Sequence, residues 1–307
     1  MRDKVLHKIF RAFGTVNSMT IHDGLETEAA EHVKKRVLEL HRRFSFFEPE
    51  SDIFRINEHA GIKPVSVHPD TLFVLSRALA YGRETQGAFD ITSGAAGRLW
   101  RNAINCGRIP SEPDIAECQS LHGLADLILD ETAGTAFIRR SGQQVDLGGI
   151  AKGYAADEAL RILKKYKVHN ALINFGGTVI TTGRQYKIGV QNPFRKTGES
   201  MADIVTENEA VVTSGSYERG FFLEGRRYHH IVDPRTGRPA DSGLLSVTLI
   251  GAGAMELDAL ATGVYVLGEE KGLPLLEKRG IEAVFVSDDG EIKITRGLQG
   301  RFFLKNI

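Results

Sequence analysis

The chain has 307 residues, 42% of them hydrophobic, with 39 basic and 39 acidic side chains that cancel to a formal charge of zero. This length and composition suffice for one large globular unit with a well-buried core. The charge balance leaves no electrostatic footprint for nucleic acid or an anionic membrane.

The opening residues, Met1-Arg2-Asp3-Lys4-Val5-Leu6-His7-Lys8-Ile9-Phe10, hold basic groups but no apolar core of the ~7–15 residues a signal peptide needs. No run approaches the ~20 apolar residues of a membrane span. The sequence as written reads as cytoplasmic, with export expected only if a leader has been removed. Residues 15–21 read as a strand. Over 26–46, Ala29, Ala30, Val33, Val37, Leu40 and Phe44 fall at helical spacing, which predicts a long amphipathic helix. Leu72, Leu75, Ala78 and Leu79 repeat that spacing over 71–85, after the start signal Pro69-Asp70. Residues 101–145 are the least periodic part and read as an irregular insertion or connection within a single domain spanning 1–307. Its two cysteines, Cys106 and Cys118, stand near Pro110 and Pro113 and suggest neither a disulfide framework nor a zinc pattern.

Helices follow over 153–166 and 255–267, and strands over 171–175, 186–190, 245–250 and 283–286. Several strands alternate with period two, as half-buried antiparallel strands do. The expected class is α+β, with mostly antiparallel or mixed sheets and packed helices, in place of a doubly wound parallel sheet.

Five polar, glycine-rich stretches carry chemistry. Tyr228-His229-His230-Ile231-Val232-Asp233-Pro234-Arg235-Thr236-Gly237 sets two histidines beside an aspartate before a turn. Such an imidazole is a metal ligand, a general base or a hydrogen-bonded structural residue. Asp146-Leu147-Gly148-Gly149-Ile150-Ala151-Lys152-Gly153 runs through two glycines into a helix. Free N–H groups, the helix dipole and Lys152 together suit a diphosphate, although a capped helix with a solvated lysine reads the same way. The spacing fits neither a P-loop nor a dinucleotide fingerprint. Asp258 and Thr262, four positions apart, share one helix face and can hold a hard cation such as magnesium, or serve the helix itself. Ala88-Phe89-Asp90-Ile91-Thr92-Ser93-Gly94 and Val212-Thr213-Ser214-Gly215-Ser216-Tyr217-Glu218-Arg219 add hydroxyls, carboxylates and an arginine in what can equally be turns.

Taken in order, the Asp146 to Tyr154 stretch, Thr213-Ser214-Gly215-Ser216-Tyr217, the His229 to Gly237 run and Asp258-Ala259-Leu260-Ala261-Thr262 resemble the signatures of the ApbE family. The resemblance extends from Phe13-Gly14-Thr15 to about Gly268, nearly the whole chain. It implies an FAD:protein FMN transferase: a Mg²⁺-dependent enzyme that moves FMN from FAD to a Ser or Thr hydroxyl of an acceptor protein and releases AMP. The resemblance further implies Mg²⁺ held by the Asp258 and Thr262 side chains and the Gly149 carbonyl, with His230 as base. Phe13, Phe47, Ala88, Phe89, Asp90, Asp146, Lys152 and Ile231 are expected against FAD. His229 is expected to be structural or outward-facing, because adjacent residues of a strand point to opposite faces, and Asp233 to cap the turn after it. Two positions depart from the family pattern. Phe13 stands where Met is common, and Phe47 where Tyr is common, so an aromatic face remains at Phe47 without its hydroxyl. A Mg²⁺-dependent FAD pyrophosphatase giving FMN and AMP, and a non-catalytic FAD-binding protein, are the alternative readings.

Overall fold

In the computed structural model, which describes residues 5–24 and 27–305, the first hairpin pairs β1 (Leu6–Ala12) with β2 (Thr15–Ile21). Its two-residue turn, Phe13 (φ 52°) and Gly14 (φ 69°), is left-handed at both positions, the geometry that joins right-twisted strands through so short a loop. The Phe13 N–H donates to His41 Nδ1 at 3.2 Å, which ties the turn to α1 (Thr27–Arg43). That helix buries Ala29, Ala30, Val33, Val37 and Leu40 as its spacing predicts; Glu26, the expected first residue, lies outside the described residues. It stops at Arg43, short of the expected Phe46. Ser45 Oγ accepts the N–H groups of Phe47 and Glu48 at 3.2 and 3.1 Å, and Pro49 follows. This local turn outcompetes another helical turn and frees Phe46 and Phe47 into a loop.

Next come α2 (Asp52–Glu58), β3 (Val65–Ser66), α3 (Pro69–Glu84), α4 (Gly94–Cys106), α5 (Glu112–Ser120), β4 (Leu127–Asp130) and β5 (Thr135–Ile138). Strands β3, β5 and β4 form a small antiparallel sheet. The stretch 101–145, expected to be irregular, thus carries the end of α4, a further helix and a hairpin. The helix α5 escapes a periodicity reading because Ile115 is its one buried residue. Its start is set locally, by Pro113 in the first turn and by Ser111 Oγ, which accepts from the Asp114 N–H at 3.3 Å.

The remainder is α6 (Ala151–Lys165), β6 (Ala171–Phe175), β7 (Thr178–Thr182), β8 (Tyr186–Gln191), β9 (Ser200–Thr206), β10 (Ala210–Gly215), β11 (Gly220–Leu223), β12 (Arg226–His229), β13 (Val232–Asp233), β14 (Arg238–Pro239), β15 (Leu244–Gly251), α7 (Ala254–Leu267), α8 (Glu269–Glu277), β16 (Glu282–Ser287), β17 (Ile292–Ile294) and β18 (Phe302–Leu304). An eight-stranded sheet in the order β1-β2-β6-β7-β10-β15-β16-β17 is antiparallel at every junction. Its two faces follow from period two. Ile180, Val212, Leu249 and Phe285 join the helix-side core, while Val179, Val211, Ile250 and Val284 pack on the three-stranded sheet β18-β9-β8. With helices on one face and a second sheet on the other, the fold is α+β. Among the described residues no helix is long and apolar enough to cross a membrane.

Candidate functional site

The loops at one end of the helix-covered face converge on a cavity of about 510 Å³, a volume in the range of small-molecule sites. Every residue expected from the sequence lines it: Phe13, Phe47, Ala88, Phe89, Asp90, Asp146, Gly149, Lys152, His230, Ile231, Asp258 and Thr262. The five motifs therefore meet in space.

Two helices supply one wall by capping each other. Asp258, on α7, accepts the Gly153 N–H of α6 at 2.9 Å through Oδ2. Asp157, on α6, accepts the Ala254 and Met255 N–H groups of α7, each at 2.9 Å. Each carboxylate satisfies first-turn donors that would otherwise be orphaned. Burial raises the Asp157 pKa even against these bonds, and Asp258 and Glu158 add to the rise. The helices approach closely because position 153 is glycine: a Cβ there would lie 2.6 Å from Met255 Cα. The paired ends fix Asp258 and Thr262 opposite the Gly148-Gly149 turn.

A hard cation fits this corner. A Cβ on Gly149 would stand 3.2 Å from Thr262 Oγ1, so the missing side chain leaves the loop backbone open to that hydroxyl. Thr262 Oγ1 also lies 3.3 Å from Ser214 Oγ. With Asp258 Oδ1 the donors are a carboxylate, hydroxyls and a carbonyl, an all-oxygen set of the kind magnesium takes alongside phosphate oxygens. Lys152 Nζ sits 3.3 Å from Asp258 Oδ1 and 3.3 Å from the Gly148 carbonyl oxygen. The first turn of α6 contains no acid; a lysine at this positive end of the dipole favours an anionic ligand there.

The opposite wall is aromatic. Phe47 is 66% exposed at the cavity edge, and its ring meets Phe46 edge-on at 5.2 Å. The Arg101 guanidinium lies over both rings at 5.2 Å and bonds Asp146 Oδ2 through both terminal nitrogens at 3.1 Å. Asp146 Oδ1 accepts the Gly148 N–H at 2.8 Å, so one carboxylate ties the aromatic wall to the glycine turn. Arg101 has no sequence signal of its own, since it stands on α4 in a stretch of weak periodicity. Asp90 is buried and works locally: its Oδ1 accepts the N–H and hydroxyl of Thr92 at 2.7 and 2.6 Å, while burial raises its pKa. Glu218 and Arg219 also line the cavity, and the sequence gives them no distinct role.

The two histidines part company. His229 is 4% exposed. Its Nδ1 accepts the Ile231 N–H at 3.3 Å, so its Nε2–H donates to the Ala240 carbonyl at 3.0 Å. His230 is half-buried in the cavity wall, with Nδ1 3.3 Å from the Arg219 carbonyl. A carbonyl only accepts, so Nδ1 carries the proton and Nε2 is left as the ring's acceptor. Burial lowers the pKa of each imidazole to about 4, against a raising bond to a backbone carbonyl. Asp233 serves the turn: its carboxylate accepts from the Arg235 N–H and guanidinium at 2.8–2.9 Å, and its carbonyl from the Gly237 N–H at 2.9 Å. The loop is pinned from outside by the buried Trp100, whose Nε1–H donates to the Gly237 carbonyl at 2.8 Å. Among the described residues no three His, Cys, Asp or Glu side chains gather around a metal position, so the histidine run forms no such cluster.

The profile of the ApbE family matches residues 13–285, and the chain belongs to that family. An FAD:protein FMN transferase of Klebsiella pneumoniae is 36% identical over 277 residues, covering 89% of this chain and 87% of that protein. Its counterpart in Treponema pallidum is 33% identical over 274 residues, covering 82% and 75%. The crystal structure of the ApbE protein from Thermotoga maritima matches with a TM-score of 0.88 and 31% identity over 99% of this chain and 100% of that one. The flavin transferase ApbE from Vibrio cholerae matches at 0.85 and 26% identity over 98% and 99%.

Proposed function

We propose that the chain is a Mg²⁺-dependent FAD:protein FMN transferase, which moves FMN from FAD to a Ser or Thr hydroxyl of an acceptor protein and releases AMP. The observation that carries this reading is the His230 imidazole, its Nδ1 held by the Arg219 carbonyl, in the same cavity as the Lys152-bearing N-terminus of α6. A base and a diphosphate seat are the two parts that hydroxyl attack on FAD requires.

FAD enters with its diphosphate at the first turn of α6, drawn by the positive end of the helix dipole and by Lys152, because the Ala151 and Gly153 N–H groups there are already bonded to the Leu147 carbonyl and Asp258. Phe47, backed by Arg101, offers a stacking face for a ring system. Phe13, Ala88, Phe89 and Ile231 supply apolar surface, Asp146 holds the glycine turn, and Asp90 holds the loop that presents Phe89. The acceptor hydroxyl gives its proton to His230 Nε2 as its oxygen bonds the FMN-side phosphorus. The bond between the FMN-side phosphorus and the bridging oxygen breaks as the new one forms, and AMP departs with that oxygen and the electron pair. The Asp258 and Thr262 side chains and the Gly149 carbonyl would hold Mg²⁺, which would supply neutralisation of charge on the diphosphate oxygens. The Arg219 carbonyl keeps the His230 proton on Nδ1 throughout, so the ring stays aligned for the transfer.

The test incubates the protein with FAD, Mg²⁺ and a candidate acceptor, then resolves nucleotides by chromatography. Equal release of AMP and loss of FAD that depends on the acceptor, with no free FMN, is the expected result. Acceptor-independent formation of FMN and AMP would make the protein a pyrophosphatase. Bound but intact FAD under all conditions would make it a carrier.

A further inference from the structure

Lys152 stands where the cation reading leaves no room for it. Asp258 Oδ2 is committed to the Gly153 N–H at 2.9 Å, so Oδ1 is the oxygen left to face the corner. That oxygen and the Gly148 carbonyl each lie 3.3 Å from the Lys152 ammonium. The pair is shielded, with the Asp258 side chain 5% exposed and that of Lys152 24% exposed. A divalent ion on Oδ1 would share it with an ammonium, and like charges at such a distance in a partly desolvated wall repel strongly. The lysine stem is long and flexible, and its compact charge moves readily to another anion. The first turn of α6, on which Lys152 itself sits, is the proposed seat of the diphosphate.

We infer that Lys152 is a resident counter-cation: it holds Asp258 Oδ1 in the flavin-free chain and yields it when a diphosphate draws the ammonium away. The inference rests on the reading of Asp258 as a metal ligand. It makes Lys152 a positioning residue for loading, because flavin dinucleotide and metal ion then favour each other's binding. Such coupling is reciprocal, with a typical size of about 5–150-fold.

The test reads binding without turnover. Mn²⁺ is titrated into the wild-type protein and into Lys152→Met, Lys152→Arg and Asp258→Ala, with free Mn²⁺ counted by electron paramagnetic resonance, first without FAD and then at saturating FAD. Thermal melts establish that each variant is folded. Without FAD, Lys152→Met is expected to bind Mn²⁺ about tenfold more tightly than wild type, and Lys152→Arg to stay as weak as wild type. Added FAD is expected to tighten Mn²⁺ on wild type by about tenfold and to give Lys152→Met a smaller gain. Equal or weaker Mn²⁺ binding by folded Lys152→Met without FAD would overturn the counter-cation, while Asp258→Ala still loses Mn²⁺. Unchanged Mn²⁺ binding by Asp258→Ala would instead overturn the ligand reading beneath it.

Discussion

At the scale of single residues, His229 and His230 show how two adjacent imidazoles acquire different work. Both ring nitrogens of His229 are spent on backbone groups in the core, whereas His230 spends Nδ1 alone. His230→Ala is therefore expected to abolish flavin transfer while leaving FAD affinity, read by flavin fluorescence, within about threefold of wild type. Lost FAD binding would reassign His230 to the binding wall. With its pKa lowered to about 4, His230 stays neutral through the physiological range, so transfer should hold its rate down to about pH 5. An acid limb near 6.5 would contradict that environment.

The same shift sets a pH dependence of stability. A folded pKa of about 4 against 6.5 unfolded means that the unfolded chain binds protons the folded chain refuses. Stability is full above about pH 6.5 and falls as the pH drops towards 4. His229, the more buried of the two, should cost about 2 kcal/mol between pH 7 and pH 5 in urea unfolding. His229→Asn should show a smaller difference between the two pH values, whatever its absolute stability.

Among elements, the α6–α7 contact governs the site. Asp157→Ala strips two buried N–H groups of their acceptor and should cost about 2 kcal/mol in urea unfolding. Gly153→Ala forces a methyl against Met255 Cα and should cost a similar amount, about 2 kcal/mol, through overpacking. Changes below about 0.5 kcal/mol in both would mean that the helix ends are not held as described. These elements were legible unevenly. The helix over 255–267 matches α7 (Ala254–Leu267) to within a residue, because Leu257, Leu260, Ala261 and Val264 are all buried. Helix α4 went unread: Gly94 and Gly97 weaken its propensity, and Gly94 is needed where a Cβ would strike the Gln144 carbonyl. Its packing comes from Trp100 and Arg101 meeting residues far along the chain, which no local pattern reports.

For the whole molecule, the fold's work is to bring dispersed loops to one cavity. The cavity lining was legible where it falls in short motifs whose order along the chain matches one family; Phe47, in a loop without glycine, entered only by that likeness. Arg101 and His41 were not, since their roles exist only through Asp146, Phe46, Phe47 and Phe13 in space. Under the proposed function this cavity joins FMN covalently to a protein hydroxyl. The most direct measurement is the intact mass of an acceptor protein after incubation with FAD, Mg²⁺ and either wild-type protein or His230→Ala. A gain of one FMN in phosphoester linkage is expected with wild type, and an unchanged mass with the variant. An unchanged acceptor mass with wild type, while FAD is consumed, would contradict that function.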